Sequence, residues 1–366
     1  MVDAKVILAD DLTGACDAGI EFALTGLPVH VWLPGVNNTG GGINVYDTDS
    51  RGLAMEEAAE RVSELAGELT RDGAVLLYKK IDSTLKGNLG SELRGLRDKG
   101  LIHGAIVAPA NPRMGRTISD GWLDVYGERG PHLPSMLRAQ GLAGVAHVDQ
   151  GKVAEGAGSI AAHIRELLAV KMAYFAFDTV VPWHLQEIAR AAQSLGNRLL
   201  LVGSAALAGE LARLMSARAT QGRSSRQADG LLRGLAVFIG SENPVTLRQL
   251  DYLLEHRPEG ELRVERLRPE ELGRPLRDDL LPPPNRRWTI FVSGGDTAES
   301  VLGAMGAQGI RLAGELAPGV PWGYVRGGAW EGTPVVTKPG GFGAPDTLAR
   351  VAVLAFRLAE ERESNL

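Results

Sequence analysis

Cysteine occurs once in the 366 residues, as Cys16, which excludes an intramolecular disulfide and leaves no thiolate cluster for structural zinc. A chain so poor in thiol suits a reducing compartment. Cys16 itself reads as a small buried residue on the first helix, not as a nucleophile. No apolar run is long enough to cross a bilayer. Asp3 stands before the first apolar stretch and a cationic leader is missing, so a soluble, cytoplasmic protein is expected. Cationic excess is missing as well: the formal net charge is -5, without a basic stripe, and neither nucleic acid nor an anionic membrane is an expected partner. The seven histidines form no H-x-x-x-H or triad-like spacing and read as ordinary surface or core residues. Neither a Walker A loop nor a G-x-G-x-x-G dinucleotide motif is present.

What remains is a chain of ordinary globular composition, long enough for two domains. Short apolar runs alternate with Ala/Leu/Glu-rich segments, the pattern of an α/β protein with mainly parallel sheets flanked by helices. Strands are expected over Val6–Ala9, Val29–Leu33, Ile43–Tyr46, Val75–Tyr78, Ala105–Ala108, Tyr174–Phe177 and Leu199–Val202. Helices are expected near Met55–Thr70, Gly158–Val170, His184–Leu195 and Ala205–Leu214. Ala217–Gly234 breaks the pattern with Arg, Ser, Gln and Gly and reads as a linker, placing a boundary near residue 230. Domains of 1–230 and 231–366 follow, the second with strands at Leu235–Ile239 and Thr289–Val292 and a helix over Thr246–Glu255.

Polar groups collect where the strands end. Tyr78–Asn88 carries Lys79, Lys80, Asp82, Ser83, Thr84, Lys86 and Asn88 just past an apolar run; Asp10-Asp11-Leu12-Thr13-Gly14 and Asp47-Thr48-Asp49-Ser50-Arg51 follow two others. In an open parallel sheet such strand ends share one edge, and ligands bind in the crevice outside it. Cations, hydroxyls and amides gathered there suit an anionic, hydroxyl-rich ligand. Taken singly, the Tyr78–Asn88 segment would more readily be a solvated loop with Ser83 or Thr84 as a helix N-cap. Later in the chain, Ser293-Gly294-Gly295-Asp296-Thr297-Ala298 lies between a strand and a helix, and Gly340-Gly341-Phe342-Gly343 follows Lys338. Missing Cβ atoms and unpaired helix N–H groups there suit phosphate.

These segments, with Ile106–Thr117, resemble in order the four-carbon acid sugar kinase family, from residue 9 to residue 343. The chain departs from the family pattern at Lys86, where an arginine is usual, and at Asn111, where an aromatic is usual. A point charge in place of a bidentate fork puts the identity of the acid in doubt, not the class of reaction.

The resemblance implies an ATP-dependent kinase with Mg²⁺, its N-terminal domain binding a tetronate or 3-oxo-tetronate, its C-terminal domain the nucleotide, and an active-site cleft between them. Transfer of the γ-phosphoryl to the terminal O4 is expected. Asp10 or Asp11 is expected to orient or deprotonate the attacking hydroxyl, Asp11 being preferred and Asp82 a rival. One of the adjacent pair is expected to cap the following helix or face the core. Arg51 and Lys86 are candidates for the substrate carboxylate, with Lys80 adding charge and Ser50, Ser83 and Asn88 orienting hydroxyls. Arg116 borders the same cleft in this reading. Ser241, Gly294, Gly295, Thr297, Lys338, Gly340, Gly341 and Gly343 are candidates for nucleotide binding. Asp296 is either a water-mediated magnesium ligand or an N-cap. A sugar-acid-binding protein without chemistry and a nicotinamide enzyme are the competing classes, the latter disfavoured by the missing dinucleotide motif. Assembly into a homo-oligomer is left open.

Overall fold

The computed structural model describes residues 4–196, 199–216, 234–272, 276–284 and 288–363. The expected linker and the boundary near residue 230 lie outside the described residues. The N-terminal unit runs β1 (Lys5–Ala9), α1 (Leu12–Ala23), β2 (Val29–Trp32), β3 (Ile43–Asp47), α2 (Met55–Arg71), β4 (Val75–Lys80), α3 (Leu89–Asp98) and β5 (Ala105–Ala108). It continues through β6 (Arg116–Ser119), β7 (Trp122–Val125), β8 (Glu128–His132), α4 (Leu133–Ala139), β9 (Val145–Val148), α5 (Gln150–Ala154) and α6 (Ala157–Ala169). β10 (Tyr174–Phe177), α7 (Pro182–Leu195), β11 (Leu200–Gly203) and α8 (Ala205–Ser216) complete it. The C-terminal unit comprises β12 (Gly234–Ile239), α9 (Pro244–Glu255), β13 (Glu261–Arg266), β14 (Trp288–Ser293) and α10 (Gly295–Ala304). β15 (Gly309–Ala317), β16 (Val320–Arg326), β17 (Pro334–Lys338) and α11 (Thr347–Glu363) follow.

The strands alternate their side chains between two apolar cores, which is why the runs read as continuously hydrophobic. In β1, Ile7 and Ala9 face one core while Val6 and Leu8 face another. In β12, Ala236 and Phe238 join the first of these cores, and Leu235, Val237 and Ile239 a third. The first core is thus shared by both units, lying under α1, α6, α7, α8 and α10. α2, α3 and α4 cover the opposite face of the N-terminal unit, α9 and α11 that of the C-terminal unit.

The expected mainly parallel α/β architecture is found, its strands joined in one 14-stranded sheet in the order β13-β12-β14-β17-β16-β15-β2-β3-β1-β4-β11-β5-β10-β9. Its pairings are parallel except where β15 and β16 join β17 to β2. The join is short, Gly309 to Arg311 of β15 opposite Trp32 to His30 of β2. A Cβ on Gly309 would stand 2.2 Å from the Val31 carbonyl oxygen, so only glycine lets the strands approach here. Chain order reverses about β1, between β3 and β4, and again about β12, between β13 and β14. Both reversals open a crevice at the carboxyl ends of the strands.

A separate antiparallel meander, β6-β7-β8, was not anticipated. Its two-residue turns, Asp120-Gly121 and Tyr126-Gly127, all have positive φ, the geometry that matches the twist of a tight hairpin.

Candidate active site

A cleft of about 380 Å³ lies where the two units meet, within the size range of small-ligand sites. Of the candidates named from the sequence, it brings together Asp11, Arg51, Lys80, Asp82, Ser83, Lys86 and Arg116 from one side and Gly295, Gly340 and Gly341 from the other. The carboxyl end of β1 supplies Asp11 and that of β4 supplies Lys80, Ala9 and Lys80 being opposite each other in register.

Asp11 caps α1. Its Oδ1 accepts the Gly14 N–H at 2.9 Å and its Oδ2 accepts the Thr13 hydroxyl at 2.8 Å. The remaining acceptor sites meet Arg51, whose Nη1 donates to Oδ2 at 2.7 Å and whose Nη2 donates to Oδ1 at 2.8 Å. Gly14 is required beside this cap, because a Cβ there would stand 2.4 Å from Asp11 Oδ1 and 2.9 Å from Lys80 Nζ.

Arg51 also donates to both oxygens of Asp10, from Nε at 3.0 Å and Nη2 at 2.9 Å. Burial lowers the guanidinium pKa, but the two aspartates more than offset it and raise the value. Two expectations change. Arg51, named for the substrate carboxylate, is engaged with protein carboxylates; Asp10, named as an alternative base, is buried behind the cleft with both oxygens on Arg51.

Ser50 and Asn88 likewise stand behind the cleft, not in it. Ser50 Oγ donates to Glu92, which pairs at 2.9 Å with the buried Lys79, and Asn88 Nδ2 donates to the carbonyls of Ser50 at 3.0 Å and Leu53 at 2.9 Å. They hold the Arg51 loop in place. Asn88 is the residue at which α3 begins, so neither Ser83 nor Thr84 is an N-cap. Asp49 and Leu85, in the loops after β3 and β4, both adopt positive φ. For Leu85 this costs roughly 1–2 kcal/mol, offset by the burial of its side chain.

The cations without a protein carboxylate in close contact point into the cleft. Lys80 is buried and has Asp17 as a distant partner at 3.9 Å. Lys86 is exposed at the rim. Arg116 donates from Nη1 to Ser83 Oγ, while its buried Nε has no protein partner. Asp82 feels burial, which raises its pKa, yet the Thr84 hydroxyl, Arg51 and Lys80 together hold its carboxyl below the usual range. Asp17 was missed from the sequence. It also lines the cleft, and burial raises its carboxyl against the pull of Lys80. Its spacing from Thr13, one helical turn, was the available signal.

On the C-terminal side, Gly294 is the N-cap of α10 and offers no side-chain cap; its own N–H is given to the Lys338 carbonyl at 3.0 Å, outside the cleft lining. A Cβ on Gly295 would stand 3.3 Å from Asp11 Oδ2, so the N-terminus of α10 abuts the carboxylate that caps α1. Thr297 faces inward, its Oγ1 accepting the Gly240 N–H at 3.1 Å, and Ser241 Oγ accepts the Asn243 N–H at 3.2 Å. Gly343, with φ +95, also lies outside the cleft lining. Lys338, named for phosphate, is fully buried and donates to the carbonyls of Pro339 at 2.8 Å, Gly340 at 3.3 Å and Phe342 at 3.1 Å. Burial pulls its ammonium down to about 8. Asn243 and Phe342 line the cleft as well and were not named from the sequence as site residues.

Among the described residues no group of three or more His, Cys, Asp or Glu side chains is arranged to hold a metal. Carboxylates do crowd the mouth of α10. Burial raises Glu299 to about 7, with Asp49, Asp296 and Asp11 adding to the effect. Asp47, buried beside Glu299, is raised for the same reasons. Of these, Asp11, Asp49 and Asp296 are the carboxylates whose chemistry fits a hard divalent cation that keeps most of its water and takes its other ligands from phosphate.

An α/β protein with a carboxylate-lined, cation-rich pocket on one unit and glycine-rich helix and loop ends on the other is built to hold a small anion against a phosphorylated ligand. Comparison with known proteins agrees. A family profile described as a sugar-binding N-terminal domain matches residues 5–131 and 124–211, and one described as a nucleotide-binding C-terminal domain matches residues 278–348. A D-threonate kinase of Bordetella bronchiseptica is 30% identical over 94% of this chain and 96% of its own. A D-erythronate kinase of Heliobacterium modesticaldum is 25% identical, covering 93% and 94%, and a 3-oxo-tetronate kinase of Pectobacterium atrosepticum 26%, covering 94% and 97%. The chain belongs to the four-carbon acid sugar kinase family. Solved structures share the fold: a Salmonella typhimurium protein at TM-score 0.77 and 19% identity, covering 94% of this chain and 98% of its own, and a Haemophilus influenzae protein at 0.71 and 21%, with the same coverage.

Proposed function

We propose that this chain is an ATP-dependent kinase that transfers the γ-phosphoryl group to the terminal hydroxyl, O4, of a four-carbon sugar acid. The observation that carries the reading is the approach of Asp11 to Gly295: the carboxylate on the acid side stands directly against the N-terminus of α10, where phosphate is favoured. Phosphoryl transfer asks mainly for alignment and charge neutralisation, and this is what the cleft supplies.

Arg116, Ser83 and Lys86 take the substrate carboxylate in this reading, since Arg51 is already engaged by Asp10 and Asp11. Asp82 accepts from the acid's inner hydroxyls. Asp11, held rigid by Arg51 and the α1 cap, sets fixed negative charge beside the attacking hydroxyl, whose proton passes to Asp17 as transfer proceeds. Lys80, 3.9 Å from Asp17, balances charge on the transferred group. The amides of Gly295, Gly340 and Gly341 hold nucleotide phosphates. Asp11, Asp49 and Asp296 would hold Mg²⁺ through water, and the ion would supply neutralisation of the β- and γ-phosphate oxygens. Residues 1–230 form the acid-binding domain and 231–366 the nucleotide-binding domain. Seating the acid between two units excludes water as a competing acceptor.

A coupled ADP-release assay over D-threonate, D-erythronate and 3-oxo-tetronates tests the reading. Acid-dependent ADP release with at least one of them is expected. Acid binding without turnover, at any ATP concentration, would leave a binding protein in its place.

A further inference from the structure

Three buried side chains reach the glycine-rich loop after β17 from beneath. Lys338 Nζ donates to the carbonyls of Pro339, Gly340 and Phe342, Thr246 Oγ1 to that of Gly340, and Gln249 Nε2 to those of Phe342 and Ala344, both at 2.9 Å. Lys338, Thr246 and Gln249 are all fully buried, and no carboxylate accompanies the ammonium in any ion pair of the described residues. A buried charge so placed is held by backbone dipoles alone. Each carbonyl drawn inward turns the next peptide N–H outward, because the two point in opposite directions across a planar trans peptide. The amides so turned belong to Gly340, Gly341 and Gly343, and none of the three meets a protein acceptor among the described residues. Gly340 and Gly341 face the cleft.

The geometry points to Lys338 as a positioning residue: it shapes the loop over residues 339–343 into a concave row of amides that binds the phosphates of a nucleoside di- or triphosphate, and does not itself touch them. Thr246 and Gln249 complete the support. Loops of successive outward N–H groups are anion sites elsewhere in proteins for the same electrostatic reason. A lysine before glycines is naturally taken for a phosphate ligand; here its charge faces the other way, into carbonyls. The inference rests on the nucleotide reading of the cleft given above.

The test uses the full-length protein and compares ADP with adenosine, which lacks the phosphates. Calorimetry should show Lys338→Met weakening ADP by about 10- to 100-fold, the scale of hydrogen bonds from a charged donor. Thr246→Val, which keeps shape and removes one neutral donor, should weaken it about fivefold. The inhibition constant of adenosine should stay at its wild-type value in both. Should Lys338→Met not fold, Thr246→Val decides alone. Wild-type ADP affinity in the folded variants, or an equal loss for ADP and adenosine, would overturn the assignment. Failure of the wild-type protein to bind ADP would instead remove the nucleotide reading beneath it.

Discussion

Arg51 places four of its N–H donor contacts on Asp10 and Asp11, and this one side chain decides how the acid pocket is built. A carboxylate that caps a helix and is gripped by a guanidinium cannot swing, so Asp11 presents fixed negative charge to the cleft. The other carboxylates of the site are less well compensated. Glu299, raised to about 7, carries a pH dependence with a definite sign. An acid whose folded pKa lies above its unfolded value binds its proton more readily when folded, so the stability it contributes is present at low pH and is lost as pH rises through about 7. Urea unfolding between pH 5 and 8 should therefore show the wild-type protein losing stability more steeply than Glu299→Gln, which imitates the protonated acid. Equal slopes would mean that Glu299 titrates normally. Removing Asp47 in the same way should flatten the profile further, because burial raises that carboxyl as well, with Glu299 adding to the effect.

Elements explain which parts of the site were legible beforehand. The ends of β1 and β4 and the start of α10 were readable, because apolar runs stop abruptly at polar or glycine residues and parallel topology sends those ends to one edge. Side-chain direction was not readable. Ser50, Asn88 and Lys338 have the right chemistry at or beyond the ends of their strands, yet turn inward to satisfy backbone carbonyls or a buried carboxylate. Asp17 was hidden for the opposite reason, looking like an ordinary helical residue until α1 is laid along the cleft. The β6-β7-β8 meander escaped because its strands are too short for an alternation to stand out, although Asp120-Gly121 is a hairpin signal. Gly295 gives the element-level prediction. Gly295→Val puts a side chain against Asp11 and over the open end of α10, so the KM for ATP should rise strongly in a folded protein. Calorimetric ADP affinity equal to that of the wild type would show that phosphate does not approach this helix end.

Fourteen of the described strands form one sheet, one of its cores runs beneath both units, and α1 packs against both. Its small residues allow this: a Cβ on Gly19 would stand 2.8 Å from Leu312 of β15 and 3.2 Å from Val29 of β2. Two glycines within a helix cost about 1 kcal/mol each relative to alanine, and here the cost permits α1 to lie against both halves of the sheet, its N-terminus opposite that of α10. The sequence showed two α/β units but not their fusion, since a three-residue antiparallel join between β2 and β15 leaves no periodic signature. The join sets the unit that carries Asp11 beside the unit that carries Gly295. Asp11→Asn tests that arrangement most directly, keeping the side chain's shape while removing its charge. Steady-state turnover measured beside calorimetry of ADP and of the accepted acid should show kcat falling by roughly 10²-fold or more, with both ligands still bound. A folded Asp11→Asn protein with near-normal kcat would contradict the account.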